Sequence, residues 1–580
     1  MTILRRALPL MVAAAGVTFQ LAAGSAAAVA ATAPASAPGR VVFSVDGGVV
    51  SNDVDGGGAR AGVVLPGGGA VVVGNGGGFH TYAAQVKPDG SLDTSFGVGG
   101  VATLPSMLVD QVVRQPDGSL VVAGSGTSLS RTQFPPIVLV RLHPNGTIDS
   151  AFGANGLARL TIQSSCGNCA AVSALPSGGL VVSGNTGNLP ADPIKNPQTP
   201  ADTQWVVARL TPSGALDPSF GRAGIVTLLP SASAGTAVAT LANGDTVALG
   251  RVVIGGQTVS VLTRLLASGA ADPSFNAGTL LAVPGGAASG MIANADGSVL
   301  VDVTSAVVRY TAAGLPDPSF GTGGVAPISG FPTSTLPFPL PQTQVLQTQI
   351  LPGPGDGAVL FNVGNSGVVL AERLTPSGAI DPKFGGPTAK RLTLGFGGGG
   401  SGFISSVRPR PLPPLVQDSA DVRGTLVERT DGSFLAVDGV SVTTPTGEGA
   451  GRSIFDFAIA GLTPTLGVDA SFGGAATRLS VTLNLIRQRA STAHTRHGIR
   501  VELTVSQPGL ARVVIKAHGR VVAQNVLPVF AAGVSFLPVE LTSYGNQLLR
   551  THRGVGLTAV VTARDLLTNT ATATAVGLLR

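Results

Sequence analysis

Short apolar runs separated by clusters of Gly, Pro, Asp, Asn and Ser recur along most of the chain. In "VVRQPDGSLVVAG" (112–124) and "VSALPSGGLVVSG" (172–184), two β-branched runs flank Pro-Asp-Gly or Pro-Ser-Gly. Proline presets φ and glycine takes the left-handed corner, so each stretch predicts a hairpin. A third run follows, as in "VLVRL" (138–142), "VVARL" (206–210) and "VVLAERL" (368–374). After a further polar turn comes a fourth, such as "GVATL" (100–104) or "GIVTLL" (224–229). No helical period appears in these units, so each is predicted to be four short strands joined by turns.

The turn between the third and fourth strands carries Asp-x-x-Phe. It occurs at Asp93–Phe96, Asp149–Phe152, Asp217–Phe220, Asp272–Phe275, Asp317–Phe320, Asp381–Phe384 and Asp469–Phe472. A catalytic group is needed once or twice per site, so a sevenfold motif points to a repeated structural unit. Seven of the 21 Phe sit at this position, in a chain with one Trp and three Tyr. A large apolar side chain at a fixed place in each unit suits packing between units. The aspartate can bind backbone N–H groups two residues on, and the glycine that usually follows Phe tolerates positive φ. Proline follows the aspartate at 218, 273, 318 and 382, which suits a rigid turn. Calcium ligation is the weaker alternative, since a hard cation needs several acidic oxygens and each copy offers one.

Four antiparallel strands repeated about seven times predict a β-propeller; a β-solenoid would have shorter rungs and parallel strands. The pattern RL-x-P-x-G-x-LD-x-SFG-x-x-G following PDG-x-LVVAG resembles the delta-60 repeat family of bacterial proteins, over roughly residues 41–475. "DPSFN" (272–276) and "DPKFG" (381–385) depart mildly, and the unit around 390–473 is the most degenerate. The resemblance implies a propeller in a bacterial surface or secreted protein and brings no activity with it.

The two ends are different. Arg5 and Arg6 precede an Ala/Val/Leu-rich run with small residues near Ala28–Ala31, so 1–31 reads as a secretory signal peptide and 32–40 as a linker. No second run of membrane length follows, so no membrane span is expected after cleavage. Residues 41–477 form the expected propeller. From 478 the repeat stops; 478–497 is expected to hold a linker and a first strand, and 498–580 the rest of an immunoglobulin-like β-sandwich. Its seven runs are "VTLNL", "IRVELTVS", "ARVVIKA", "RVVAQNVL", "VSFLPVEL", "VGLTAVVTARD" and "TATATAVGLL".

Candidate chemistry is sparse. Cys166 and Cys169 suit a small local disulfide in an exported protein, and one pair cannot form a four-ligand zinc site. His494 and His497 lie in a polar linker without acidic or cysteine partners nearby. No Gly-x-Ser-x-Gly, Walker loop or His-Glu-x-x-His occurs, and no helix follows the glycine-rich runs, so no catalytic, cofactor or metal residue is expected. Residues 478–580 hold 12 Lys+Arg against 3 Asp+Glu, on a whole chain of net +6. A basic module points to an anionic partner such as a cell-wall polymer, with an unknown protein as the alternative. Nucleic acid fits less well, with two Phe and one Tyr for stacking and export removing the usual partner.

A secreted binding or scaffold protein is therefore expected; the alternative is a carbohydrate-active or other hydrolase using the propeller channel. Strand parity locates the recognition face. Alternate connections of an antiparallel meander share a face, so the hairpin turns and the Asp-x-x-Phe turns lie together. The long inserts 184–204, 330–344 and 396–415, with Cys166, Cys169 and His80, fall on the other face.

Overall fold

The computed structural model describes residues 35–37, 40–44, 58–76, 80–126, 135–163, 171–187, 203–229, 233–254, 257–328, 349–364, 368–384, 390–393, 425–444, 452–473, 480–486, 493, 498–506, 509–529, 533–551, 554–565 and 570–579. Strands β1 (Ala35–Ala37) and β2 (Arg40–Ser44) come first. Four-stranded antiparallel ladders then succeed one another. The first is β3 (Gly58–Val64), β4 (Ala70–Asn75), β5 (Thr81–Val86) and β6 (Val101–Leu104). The second is β7 (Leu108–Arg114), β8 (Leu120–Ser125), β9 (Pro136–Leu142) and β10 (Leu157–Gln163). The third is β11 (Ala171–Ala174), β12 (Leu180–Thr186), β13 (Gln204–Leu210) and β14 (Ile225–Leu229), whose one strand pair with the second, among the described residues, is Gln163↔Asn185.

Next come β15 (Ser233–Thr240), β16 (Thr246–Ile254), β17 (Gln257–Leu265) and β18 (Leu281–Val283). They are followed by β19 (Ala288–Ala293), β20 (Val299–Val303), β21 (Ala306–Tyr310) and β22 (Val325–Pro327). A further ladder is β23 (Gln349–Gly353), β24 (Gly357–Gly364), β25 (Val368–Leu374) and β26 (Lys390–Thr393). The last contains β27 (Thr425–Glu428), β28 (Phe434–Thr444) and β29 (Arg452–Leu462). Its fourth strand comes from the other end of the chain: β2 pairs with β29 from Arg40↔Ala460 to Ser44↔Asp456, and β1 folds back on β2. The segment read as a linker at 32–40 thus contains β1 and the first residue of β2.

Burial explains the sequence pattern. The second strands of the units are sandwiched between neighbouring sheets, so every residue of β4, β8 and β20 is buried and the runs are continuously apolar. Outer strands face a neighbour on one side only, and β10 accordingly alternates. Each apolar cluster spans two successive sheets: Phe96 of the first unit packs with Val109, Val112, Leu120 and Val140 of the second. First strands lie against one another in order, β3 on β7, β7 on β11, and onward to β19 on β23, while β27 lies on β3. Thr425 Oγ1 donates to Gln349 Oε1 at 3.2 Å, tying β27 to β23. Sheets arranged in a ring with first strands innermost are a β-propeller.

Past the ring, all seven predicted runs are strands: β30 (Val481–Leu485), β31 (Gly498–Val505), β32 (Gly509–Ala517), β33 (Arg520–Val529), β34 (Gly533–Glu540), β35 (Val555–Asp565) and β36 (Thr570–Leu579). They form sheets ordered β30-β31-β34 and β33-β32-β35-β36 around a shared core that includes Val501, Leu503, Val513, Ile515 and Val561. Helix α1 (Ser543–Thr551), between β34 and β35, had no counterpart in the strand-by-strand reading. It lies so close to β33 that a Cβ on Gly545 would overlap Val522 O. Among the described residues no helix is long and apolar enough to cross a membrane.

Candidate functional site

Among the described residues the sevenfold motif gathers polar side chains in each unit, with a turn geometry that recurs from copy to copy. One oxygen of each aspartate, Oδ1, accepts the backbone N–H two residues on, at 2.8–3.1 Å for Asp93, Asp149, Asp217, Asp272, Asp317, Asp381 and Asp469. The other oxygen faces a side chain eight residues earlier on the third strand. That partner is Gln85 for Asp93 and an arginine at 141, 209, 264, 309 and 373 for the next five, at 2.6–3.3 Å. Backbone pairing sets this spacing, since Asp149 N donates to Arg141 O at 2.9 Å and the other copies repeat it.

The arginine then reaches the next unit. Arg141 Nη1 donates to Pro212 O, and Arg209, Arg264, Arg309 and Arg373 donate to Ala267 O, Ala312 O, Pro376 O and Pro464 O at 2.8–3.4 Å. Each carbonyl belongs to the tight turn just upstream of the following motif. The guanidinium also lies over the motif's own ring, 4.9 Å from the centroid for Arg141 and Phe152 and 4.7 Å for Arg373 and Phe384. Behind the ring, the residue after Phe donates its N–H to the same neighbouring turn: Gly97 to Asn145 O, Gly153 to Ser213 O, Gly221 to Ser268 O and Gly321 to Ser377 O, all at 2.7–2.8 Å. Glycine is required in that turn twice over. Gly214 has φ +81°, and a Cβ there would stand 2.8 Å from the Phe152 ring.

The departures from the pattern are informative. In "DPSFN" Asn276 replaces glycine, takes φ 47° and still donates to Ala313 O at 3.0 Å. Asparagine is among the few residues that adopt this conformation readily. At the seventh copy Gly461 occupies the arginine's place. Arg429, from the hairpin of that unit, replaces it: Nη2 donates to Pro88 O at 3.1 Å and the guanidinium lies 5.2 Å from the Phe472 centroid. Gly473 N donates to Asp89 O at 2.7 Å. The last unit is thereby clasped to the first, and the motif forms a junction between units.

The motif lowers the pKa of six of its aspartates, Asp93, Asp149, Asp217, Asp272, Asp317 and Asp381. The Ser219 hydroxyl, with the Ser219 N–H and Arg209, keeps Asp217 below the ordinary carboxylate value, and the Ser319 hydroxyl leads the same effect on Asp317. At Asp149, Asp272 and Asp381 burial alone would raise the pKa, but donors and arginine together outweigh it and the net direction is down. A depressed folded pKa contributes stability above the unfolded value, about 3.9, that is lost as pH falls through the folded values. The melting temperature is therefore expected to hold steady from neutral pH to about 5 and to drop steeply below about 4. A melting curve unchanged down to pH ~3 would remove the ion-paired role.

The remaining candidates are not brought together. Cys166, Cys169, His494 and His497 lie outside the described residues. No group of three or more potential metal ligands occurs among the described residues. An open cleft of about 220 Å³ between β10 and β13–β14 offers one charged side chain, Arg159. On the innermost strands, several polar groups bridge to the next strand: Val172 N donates to Gln111 Oε1 at 3.0 Å, and Thr240 Oγ1 to Ala174 O at 2.7 Å. The clasp arginines escaped the sequence reading as functional partners. Their signal was the constant eight-residue spacing to the aspartate.

Connection lengths separate the two faces. The first-to-second and third-to-fourth links hardly vary: five residues at 115–119, 175–179 and 429–433, and fourteen at 143–156, 211–224 and 311–324. Links on the opposite face run from two residues (255–256) to thirty-one (394–424). The strand ends bracketing inserts 184–204, 330–344 and 396–415 all open on this second face. Most of the first insert, and all of the other two, lie outside the described residues.

A family of unknown function described as the DUF5122 beta-propeller domain matches at residues 67–96, 115–152, 202–220 and 241–275. Each stretch ends on the motif phenylalanine, Phe96, Phe152, Phe220 or Phe275. No curated protein matches. Similar solved structures include the polysaccharide lyase Uly1, 9% identical over 70% of this chain and 90% of that one, TM-score 0.36. The soluble aldose sugar dehydrogenase of Escherichia coli is 12% identical over 56% and 96%, TM-score 0.28. Drosophila Plexin A, in complex with Semaphorin 1b, is 10% identical over 73% and 87%, TM-score 0.29. At such scores these proteins' activities do not transfer to this chain.

Proposed function

We propose that the chain is a secreted bacterial propeller of seven delta-60-type blades carrying an immunoglobulin-like β-sandwich, and that it is a non-catalytic binding or scaffold protein of the cell envelope. The observation that carries this reading is the division between the faces. Recurrent charged chemistry is spent on clasps at one face, where connection lengths are held constant. Length variation is confined to the other face, as in scaffolds whose loops do the recognising. Cleavage near Ala28–Ala31 leaves β1 and β2 in the mature chain to complete the last blade. The strand order β30-β31-β34 and β33-β32-β35-β36 suits an immunoglobulin-like sandwich in which β33 has joined the second sheet. Its basic balance favours an anionic envelope polymer as the partner.

The test is capture of isolated envelope fractions and purified anionic wall polymer by immobilised full-length protein. Shortening inserts 184–204, 330–344 and 396–415 together is expected to abolish capture while leaving the unfolding transition in place. Added salt should weaken whatever capture depends on the basic module. Undiminished capture by the shortened variant would contradict the assignment of the face.

A further inference from the structure

Most described edge strands are short or carry a feature that discourages pairing, and β36 is the longest that does not. Among the propeller's outer strands, β18 and β22 have three residues each, β22 with Pro327, and β26 carries Lys390 and Arg391. β10 and β14 pair with their inner neighbours through irregular registers. In the C-terminal module, β33 has Arg520, Pro528 and a register shift, and Ala523 bridges to Leu541 beside it. Short length, charge, proline and bulges are the usual means of keeping an edge from pairing with another chain. Strand β36, "TATATAVGLL", has none of them. It runs ten residues without charge or proline, and its pairing with β35 from Val555↔Leu579 to Arg564↔Thr570 has no register shift. No other described strand pairs with its outer edge.

The side chains suit a strand-to-strand contact. Thr570, Thr572, Thr574, Val576 and Leu578 point outward and are exposed, Val576 by 80% and Leu578 by 51%. We propose that β36 is a homodimerisation strand, whose outer edge pairs antiparallel with β36 of a second copy about a two-fold axis at Thr574. That register places Thr572 opposite Val576 and Thr570 opposite Leu578, with no charge facing another. The charge distribution selects a second copy as the occupant. The module is strongly basic, yet of the described cations in register with this face Arg512 and Lys516 sit on β32, two strands in from the edge, and Arg564 on β35 is level only with the end of β36. Across the joined sheets the β32 cations of the two copies stand five strand spacings apart, roughly 24 Å, well beyond the screening length of about 8 Å at physiological salt. Arg564 pairs with Thr570 at one end of the ladder, so the two copies of Arg564 fall at opposite ends of the dimer. β36 itself carries no charged residue for an acidic or basic partner strand to meet. The contact is isologous, and with β33 protected at the far edge the assembly closes at two copies.

The experiment is light scattering of the full chain over a concentration series, with circular dichroism confirming that each variant is folded. The wild-type protein is expected to show twice the monomer mass. Thr574→Lys and Thr574→Glu, at an exposed position, should each be monomeric, because like charges meet at the axis. An equimolar mixture of the two should regain the doubled mass as a Lys–Glu heterodimer. A wild-type monomer at every concentration, dimers of either variant on its own, or a mixture that remains monomeric would each overturn the proposal.

Discussion

Phe220→Ala is expected to destabilise the protein by about 3–5 kcal/mol, the usual cost of emptying a buried phenylalanine site. Phe220 is completely buried and packs with Val181, Trp205 and Val207 of its own unit and Ala248, Val261 and Leu265 of the next. The ring therefore belongs to two sheets at once, and its loss opens a cavity at their junction. The neighbours cannot easily collapse into that space, because Gly221 N is fixed to Ser268 O at 2.8 Å and Arg209 Nη1 to Ala267 O at 2.8 Å. Denaturant unfolding measures the loss directly. Below its melting temperature the variant is expected to keep the capture proposed for the opposite face, since the motif turns lie on the other face. A Phe220→Ala protein that unfolds with the wild type would show that the ring does not join the sheets.

Most of this architecture is legible in the residues. In every unit but the last, the runs either side of the hairpin turn, the third apolar run and the run after the motif correspond to strands one to four, because turn chemistry and apolar runs are local signals. "LVVAG" reads as continuously apolar, and β8 is buried on both faces as that implies. The aspartate's turn role was also readable, since Asp217 bonds Ser219 two residues away. The arginine's role was harder to read. Its spacing to the aspartate is constant, but its second partner, such as Pro376 for Arg309, lies 67 residues away, and no local rule reports such a contact. The replacement of that arginine by Arg429 was hidden for the same reason, as its partner Pro88 is 341 residues distant. Helix α1 was missed because its apolar residues are few. Only Gly545, Leu548 and Leu549 are buried along it. The pairing of β2 with β29 joins segments more than 400 residues apart, so residues 32–40 gave no sign of their place in a sheet.

Deleting residues 1–44 is the second large perturbation, because it removes the strand that completes the last sheet. The five pairs between β2 and β29 are lost. At roughly 0.5–1.5 kcal/mol net per hydrogen bond, the cost is a few kcal/mol. The unpaired edge of β29 should also favour aggregation. The damage is expected to concentrate at the junction next to it, where Gly473 N donates to Asp89 O at 2.7 Å and Arg429 to Pro88 O at 3.1 Å. Amide hydrogen exchange at Gly473, in the intact chain and in the truncated one, tests ring closure most directly. Closure through the motif predicts that in the intact chain this amide is protected to the same degree as Gly221, which makes the equivalent bond between two units consecutive in sequence, and that truncation speeds its exchange by orders of magnitude while Gly221 is spared. Exchange of Gly473 in the intact chain at the rate of an open amide, with Gly221 protected, would contradict it.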